Sequence, residues 1–207
     1  EQGGYELRLY GIEYYCPECD EQGRRKSEVK GYKSPGSADH KLVQEANTEW
    51  KNKESLRRYV PQTPIRSGWK TASSEFDGSA PGAGGLAPHG IEQWSDMFNQ
   101  RQLLCLAKLL QAIDRIENQN IKEFLLIAFS DALRTNCAMT SYDSTRNGID
   151  HIFRTNSFDP PTYPAENNVW GTRYGRGTFE SSWQMVLDGV EYAKSPTERY
   201  VEDGETV

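Results

Sequence analysis

"WSDMFNQRQLLCLAKLLQAIDRIENQ", Trp94 to Gln119, is the stretch on which the fold class turns. Leu103, Leu106, Leu110 and Ile113 recur at intervals of three and four residues, and Leu104, Ala107 and Ile116 widen the stripe. That spacing follows the 3.6-residue turn of a helix and gathers the side chains on one face, where a strand would alternate them. Downstream, Asn120 and Glu123 have the spacing of a capping box. The helix they would open, "IKEFLLIAFSDAL" (Ile121 to Leu133), is apolar nearly all round and is expected to be the most buried element. A last helix is predicted after Thr178, which can cap it. There Phe179, Trp183, Val186, Leu187 and Val190 share a face, and Pro196 ends it.

Working towards the N-terminus, the pattern changes. Residues 60–90 are rich in proline and glycine and lack periodicity, which predicts a long loop. Ser37 to Tyr59 is made of helix formers with few apolar positions (Leu42, Val43, Ala46, Trp50, Leu56), so that helix is expected at the periphery. In "YELRLYGIEYYCPECDEQG" (5–23), Leu7, Leu9 and Tyr10, then Ile12, Tyr14 and Tyr15, suggest a strand entering the turn Cys16-Pro17-Glu18-Cys19. Residues 23–35 hold the return strand. Residues 138–177 predict a second extended loop. The expected fold is mainly α with a small N-terminal β hairpin that resembles a zinc ribbon (α+β), joined by long irregular loops. Its expected segments are a β/knuckle element at 1–35, a peripheral helix and loop at 36–90, and a helical core at 91–200.

The chain has 207 residues, with 30 acidic against 24 basic side chains and a net charge of −6. That balance argues against a protein that coats nucleic acid, and leaves room for a local basic face. No apolar run approaches the roughly 20 residues that span a bilayer, and no signal peptide is recognisable, so no membrane partner is expected. Four cysteines, with Cys105 and Cys137 expected alone on helices, do not form a disulfide framework and suit a reducing cytoplasm. A start at Glu1 and the polar run "YVEDGETV" at the end suggest a piece of a longer protein.

Three motifs invite a chemical interpretation. "FDPPTY" (Phe158 to Tyr163) is one residue away from the Asp-Pro-Pro-Tyr of adenine methylation, but Thr162 intervenes. The insertion moves the aromatic by about 3.3 Å and turns it to the other side of an extended chain. Because "HIFRTNSF" before it is also no buried strand, a loop is expected. "FDGSAPGAGG" (Phe76 to Gly85) looks like a cofactor-binding glycine turn, yet polar residues precede it, and a flexible loop accounts for it better. Cys16 and Cys19 can supply two thiolates to a zinc ion, half of a closed tetrahedral site. No second CxxC occurs, and His40, His89 and His151 lie at no finger spacing. A redox role would want a strand-to-helix junction, which the residues after Cys19 do not suggest. Arg101, Lys108 and Arg115 form a heptad-spaced line that could follow phosphates, although Asp114 and Glu117 make a solvated face the better account.

Taken in order, "YGIEYYCPEC", "GYKSPGSAD", "HGIEQWSDMFNQRQLLCLAKLLQAI", "HIFRTNSFDPPTYPAENNVWG" and "GRGTFESSWQMVLDGVEYAKSP" resemble the middle region of large adenine-specific DNA methylases that carry a zinc-ribbon-like segment. The resemblance runs from about Tyr5 to Pro196. It implies that the cofactor-binding glycine motif precedes this region, that the catalytic tetrapeptide follows it, and that the remaining zinc cysteines lie upstream. S-adenosylmethionine would then be the cofactor of the parent enzyme, and the rest of the methylase chain a partner. No catalytic or cofactor-binding residue is expected within these 207 residues, and the chain alone should be inactive. If the region contacts DNA, Arg24, Arg25, Lys26, Arg101, Arg154, Arg173 and Arg176 are the candidates, with Tyr174 able to stack on a base. The alternative is a structural or protein-interaction module without DNA contact.

Overall fold

Helix α3 (Gln100–Asp114) begins at a reciprocal cap. The Gln102 N–H donates to Asn99 Oδ1 at 3.0 Å, and the Asn99 N–H donates to Gln102 Oε1 at 2.9 Å. Two otherwise orphaned donors are satisfied at once, which is why the helix starts here. The computed structural model describes residues 8–25, 28–66, 86, 89–152, 158, 161, 163–172, 174–198, 201–202 and 205–206. Lys26, Phe76 to Gly85, Arg154, Asp159, Pro160, Thr162 and Arg173, singled out above, lie outside them.

Two faces of α3 are buried against different neighbours. Leu104 and Ala107 pack with Trp50 of α2 (Ser37–Asn52) and Leu56 of a 3-10 turn (Glu54–Tyr59). Arg57 lies 3.9 Å from the centroid of the Trp50 ring and donates to the Trp50 carbonyl at 3.2 Å, which closes that turn. On the other side, Leu106 and Ile113 meet Ala128, Phe129 and Ala132 of α4 (Gln119–Leu133) and Phe179 of α5 (Phe179–Lys194). A third cluster holds Leu86, Ile91, Met97, Cys137 and Met139, with Phe98 packed against both it and the α4–α5 cluster. Residues 36–90 and 91–200 therefore share two of these cores.

The expected mainly α class holds among the described residues. β1 (Ile12–Tyr15) pairs antiparallel with β2 (Lys30–Lys33), as the hairpin pattern predicts, in the register Ile12↔Lys33 to Tyr15↔Lys30. Two smaller pairs are β3 (Tyr142–Asp143) with β4 (Gly148–Ile149) and β5 (Val201–Glu202) with β6 (Glu205–Thr206). The first of these adds a hairpin to the 138–177 stretch, turned by Asn147 at φ 51°. Thr178 caps α5 as predicted, accepting the Ser181 N–H at 3.3 Å.

Other expectations are corrected. The cap of α4 is Asn118, whose Oδ1 accepts the Ile121 N–H at 3.1 Å, two residues before the predicted Asn120. Nor is α4 the most buried helix: Ile121 is 48% exposed, Phe124 42% and Ile127 57%. It packs mainly on α3 and α5, and its outer apolar face is left partly exposed. Cys137 sits in the turn past α4 rather than on a helix, and is buried. The predicted helix over 37–59 divides at Lys53, beyond which the chain tightens into the 3-10 turn.

Two predictions follow from this packing. Phe179→Ala removes a ring that is 5% exposed at the junction of α3, α4 and α5, and should cost about 3–5 kcal/mol in a denaturant titration. The Asp39 carboxylate accepts the Gly36 N–H at 2.9 Å and pairs with Lys33 at 3.0 Å, and these contacts hold its carboxyl below the ordinary value of 3.8. The resulting stabilisation is present above 3.8 and is lost as pH falls through the lower folded value. Asp39→Ala should lower the melting temperature at neutral pH, and the gap to wild type should close on acidification below 3.8.

Candidate functional site at the cysteine turn

β1 runs directly into Cys16, and α1 (Pro17–Glu21) starts at the next residue. A proline follows Cys16, which therefore takes an extended conformation, φ −107° and ψ 101°, and Pro17 opens the helix with its missing N–H at a position that needs none. This is a strand-to-helix junction, contrary to the expectation from the residues after Cys19. The Cys19 N–H donates to Cys16 Sγ at 3.4 Å, and the two sulfurs stand 2.9 Å apart. Both cysteines are half-buried. The hydrogen bond with Cys16 holds the Cys19 thiol above its ordinary pKa. Behind the turn, the Cys16 N–H donates to the carbonyl of the fully buried Val29 at 2.7 Å.

The turn is tied to the far end of the chain through Asp20. Tyr15 Oη donates to Asp20 Oδ2, and Tyr174 Oη donates to Asp20 Oδ1 at 2.9 Å. The Tyr15 and Tyr174 rings lie 6.0 Å apart, tilted by 58°. A second tie joins the two hairpins. Lys30 pairs with Glu13 at 2.7 Å and donates to the Asn147 carbonyl at 2.9 Å, while Tyr142 Oη donates to Glu13 at 2.9 Å. Tyr32 Oη lies 2.7 Å from Tyr142 Oη, and both hydroxyls contact Asn147 Oδ1. Burial, reinforced by these contacts, pushes the Tyr142 pKa up, so the network holds a neutral phenol.

The segment carrying Tyr174 and Arg176 is held from below. Gly177 has φ +66°, and its carbonyl accepts from Asn136 Nδ2 at 2.9 Å, Asn167 Nδ2 at 3.3 Å and Thr135 Oγ1. Asn167 Nδ2 also donates to the Arg176 carbonyl at 2.9 Å. Asn136 is wholly buried at the end of α4, so the helical core fixes the height of this loop. A Cβ on Gly148 would lie 3.9 Å from Arg176 Cδ, which places the Arg176 stem over β4.

The structure thus brings Tyr174 to the cysteine turn, with Arg24 and Arg25 just after α1 and the Arg176 stem over Gly148. Arg24, Arg25 and Arg176 are exposed and join no ion pair among the described residues. Arg24 Nε donates only to Gln22 Oε1, at 3.3 Å. The other candidates stand apart. Arg101 is forked onto Glu166, its Nε donating to Oε1 at 3.1 Å, and Glu166 also accepts from Asn99 Nδ2 at 2.8 Å. Lys108 pairs with Glu49 at 2.7 Å, so two members of the Arg101–Lys108–Arg115 line are neutralised within the fold. Tyr163 of "FDPPTY" is 78% exposed, and Phe158 sets its ring edge-on to Trp94 at 6.0 Å.

Among the described residues, the donor set for zinc does not close: no three His, Cys, Asp or Glu side chains converge. Asp20, the carboxylate next to Cys19 on its C-terminal side, is taken by two tyrosines. Two thiolates leave half a tetrahedron unfilled. Sequence reasoning missed Tyr15, Asp20, Glu13, Asn136 and Asn147 as organisers of the site. Their partners lie far away in sequence (154 residues for Tyr174 and Asp20), and no local spacing announces such a contact.

The Gly177 geometry yields a direct test. A Cβ there would lie 2.5 Å from Thr135 Oγ1 in a backbone conformation that L-residues avoid. Gly177→Ala should destabilise the chain by roughly 2 kcal/mol. Chemical-shift changes should appear at Tyr174 and Asp20 as the loop loses its seat, and unchanged stability would contradict this account of the loop.

Comparison with protein-family models, with curated proteins and with solved structures finds no match to this chain.

Proposed function

We propose that this chain is the region inserted between the cofactor-binding and catalytic motifs of an S-adenosylmethionine-dependent, adenine-specific DNA methyltransferase, and that it contacts the DNA backbone through Arg24, Arg25 and Arg176. The assignment of the parent enzyme rests on the ordered stretches from Tyr5 to Pro196. The observation that carries the DNA contact is the Tyr174–Asp20 hydrogen bond of 2.9 Å. It seats the loop that carries Arg176 against the turn that leads to Arg24 and Arg25, three exposed arginines that join no ion pair among the described residues of an acidic chain. Arginine forks suit phosphate oxygens, and such contacts set position rather than sequence choice. Tyr174, held by Asp20 and Tyr15, serves this site by positioning the loop rather than by stacking on a base.

A second function draws support from α4. Its outward Ile121, Phe124 and Ile127 suit docking onto the rest of the parent chain, and the Arg101–Glu166 fork removes one DNA candidate. Duplex binding measured across a salt series separates the two. If the arginines meet phosphates, affinity falls steeply with salt, and Arg24→Ala/Arg25→Ala/Arg176→Ala lowers the logarithmic salt slope by about three. Arg101→Ala should leave that slope unchanged. A triple variant with the wild-type slope would favour the docking module.

A further inference from the structure

The proposed DNA contact gives no role to the two sulfurs at the head of α1, and no further zinc ligands converge on them among the described residues. A zinc ion holds two thiolates at about 2.3 Å each in a tetrahedron, which spreads them to about 3.8 Å. Cys16 Sγ and Cys19 Sγ are 2.9 Å apart, closer than a bridging metal would set them, and Cys16 sits where a strand passes into a helix. Pro17 restrains the backbone between them. Both cysteines are only half-buried, which leaves them within reach of a small reagent. We propose that Cys16 and Cys19 are a dithiol that is oxidised reversibly to an intramolecular disulfide by exchange with a low-molecular-weight disulfide.

The chemistry balances as two displacements. One cysteine of the pair, as thiolate, attacks a sulfur of the small disulfide. A protein–reagent mixed disulfide forms, the reagent's S–S bond breaks, and its other half leaves with the electron pair and takes up a proton. The second cysteine then gives up its proton and attacks the first cysteine's sulfur, expelling the remaining half of the reagent as a thiol. The pair loses two electrons and two protons, and the small disulfide becomes two thiols. A dithiol reductant runs the sequence backwards. The protein carries its own controls: Cys105 is exposed on α3 without a neighbouring thiol, so it stops at the mixed disulfide. Cys137 is 1% exposed and pushed up to about 11 by burial, so it stays a thiol.

The test equilibrates the whole folded chain in oxidised and reduced glutathione, quenches with acid, alkylates free thiols and weighs the peptides. The Cys16–Cys19 peptide should lose the mass of two hydrogens and regain it with dithiothreitol, while Cys105 in the same sample carries glutathione. Cys16→Ser and Cys19→Ser should each trap glutathione on the remaining cysteine. The wild-type peptide decides the matter even where a variant folds poorly. The proposal is overturned if wild-type Cys16 and Cys19 stay alkylatable at a ratio that modifies Cys105, or if glutathione stays on either of them without ring closure. One zinc per chain that shields both cysteines until a chelator removes it would overturn it as well.

Discussion

Burial of α3 on two opposite faces is the constraint on which the other elements depend. Leu104 and Ala107 commit one face to Trp50 and Leu56, and Leu106 and Ile113 commit the other to α4 and α5. Each fully buried aliphatic side chain is worth roughly 1.5–3 kcal/mol, so neither face can be released without loss of a large share of a domain's net stability. The register of α3 is set by the Asn99–Gln102 cap. Because Gln102 is itself 1% exposed, the cap is part of the packed interior rather than an ornament at its edge.

Polar contacts carry the structure outward from that core. The Gly177 carbonyl, gripped by Thr135, Asn136 and Asn167, converts the end of α4 into a seat for the loop before α5. Tyr174 passes the position on to Asp20, and Tyr142 and Lys30 do the same between the hairpins. Among the described residues, the N-terminal hairpin contributes only Val29 to the fully buried apolar side chains, so hydrogen bonds and tyrosine rings set its place. Such contacts are directional, and they specify orientation more than they add stability.

Charge is distributed by the same logic. The chain is acidic overall, and carboxylates neutralise Arg101, Lys108, Lys122 and Lys30 where elements meet. Arg24, Arg25 and Arg176 are exposed and join none of the ion pairs among the described residues, in a chain whose net charge is −6.

Helical periodicity alone determined α3 and α5, and alternation determined the first hairpin, because each pattern is local and its period is imposed by backbone geometry. Thr178 was legible as a cap for the same reason. The exposure of Ile121, Phe124 and Ile127 was not legible, since an apolar helix carries no mark of which neighbours it will find. The helix after Cys16 was missed because a five-residue turn is too short for a period to show. Nor could spacing reveal that Arg101 would be consumed by Glu166, or that Tyr174 would reach Asp20 across 154 residues. Those pairings depend on where the packed helices leave the loops, and only the tertiary structure decides that.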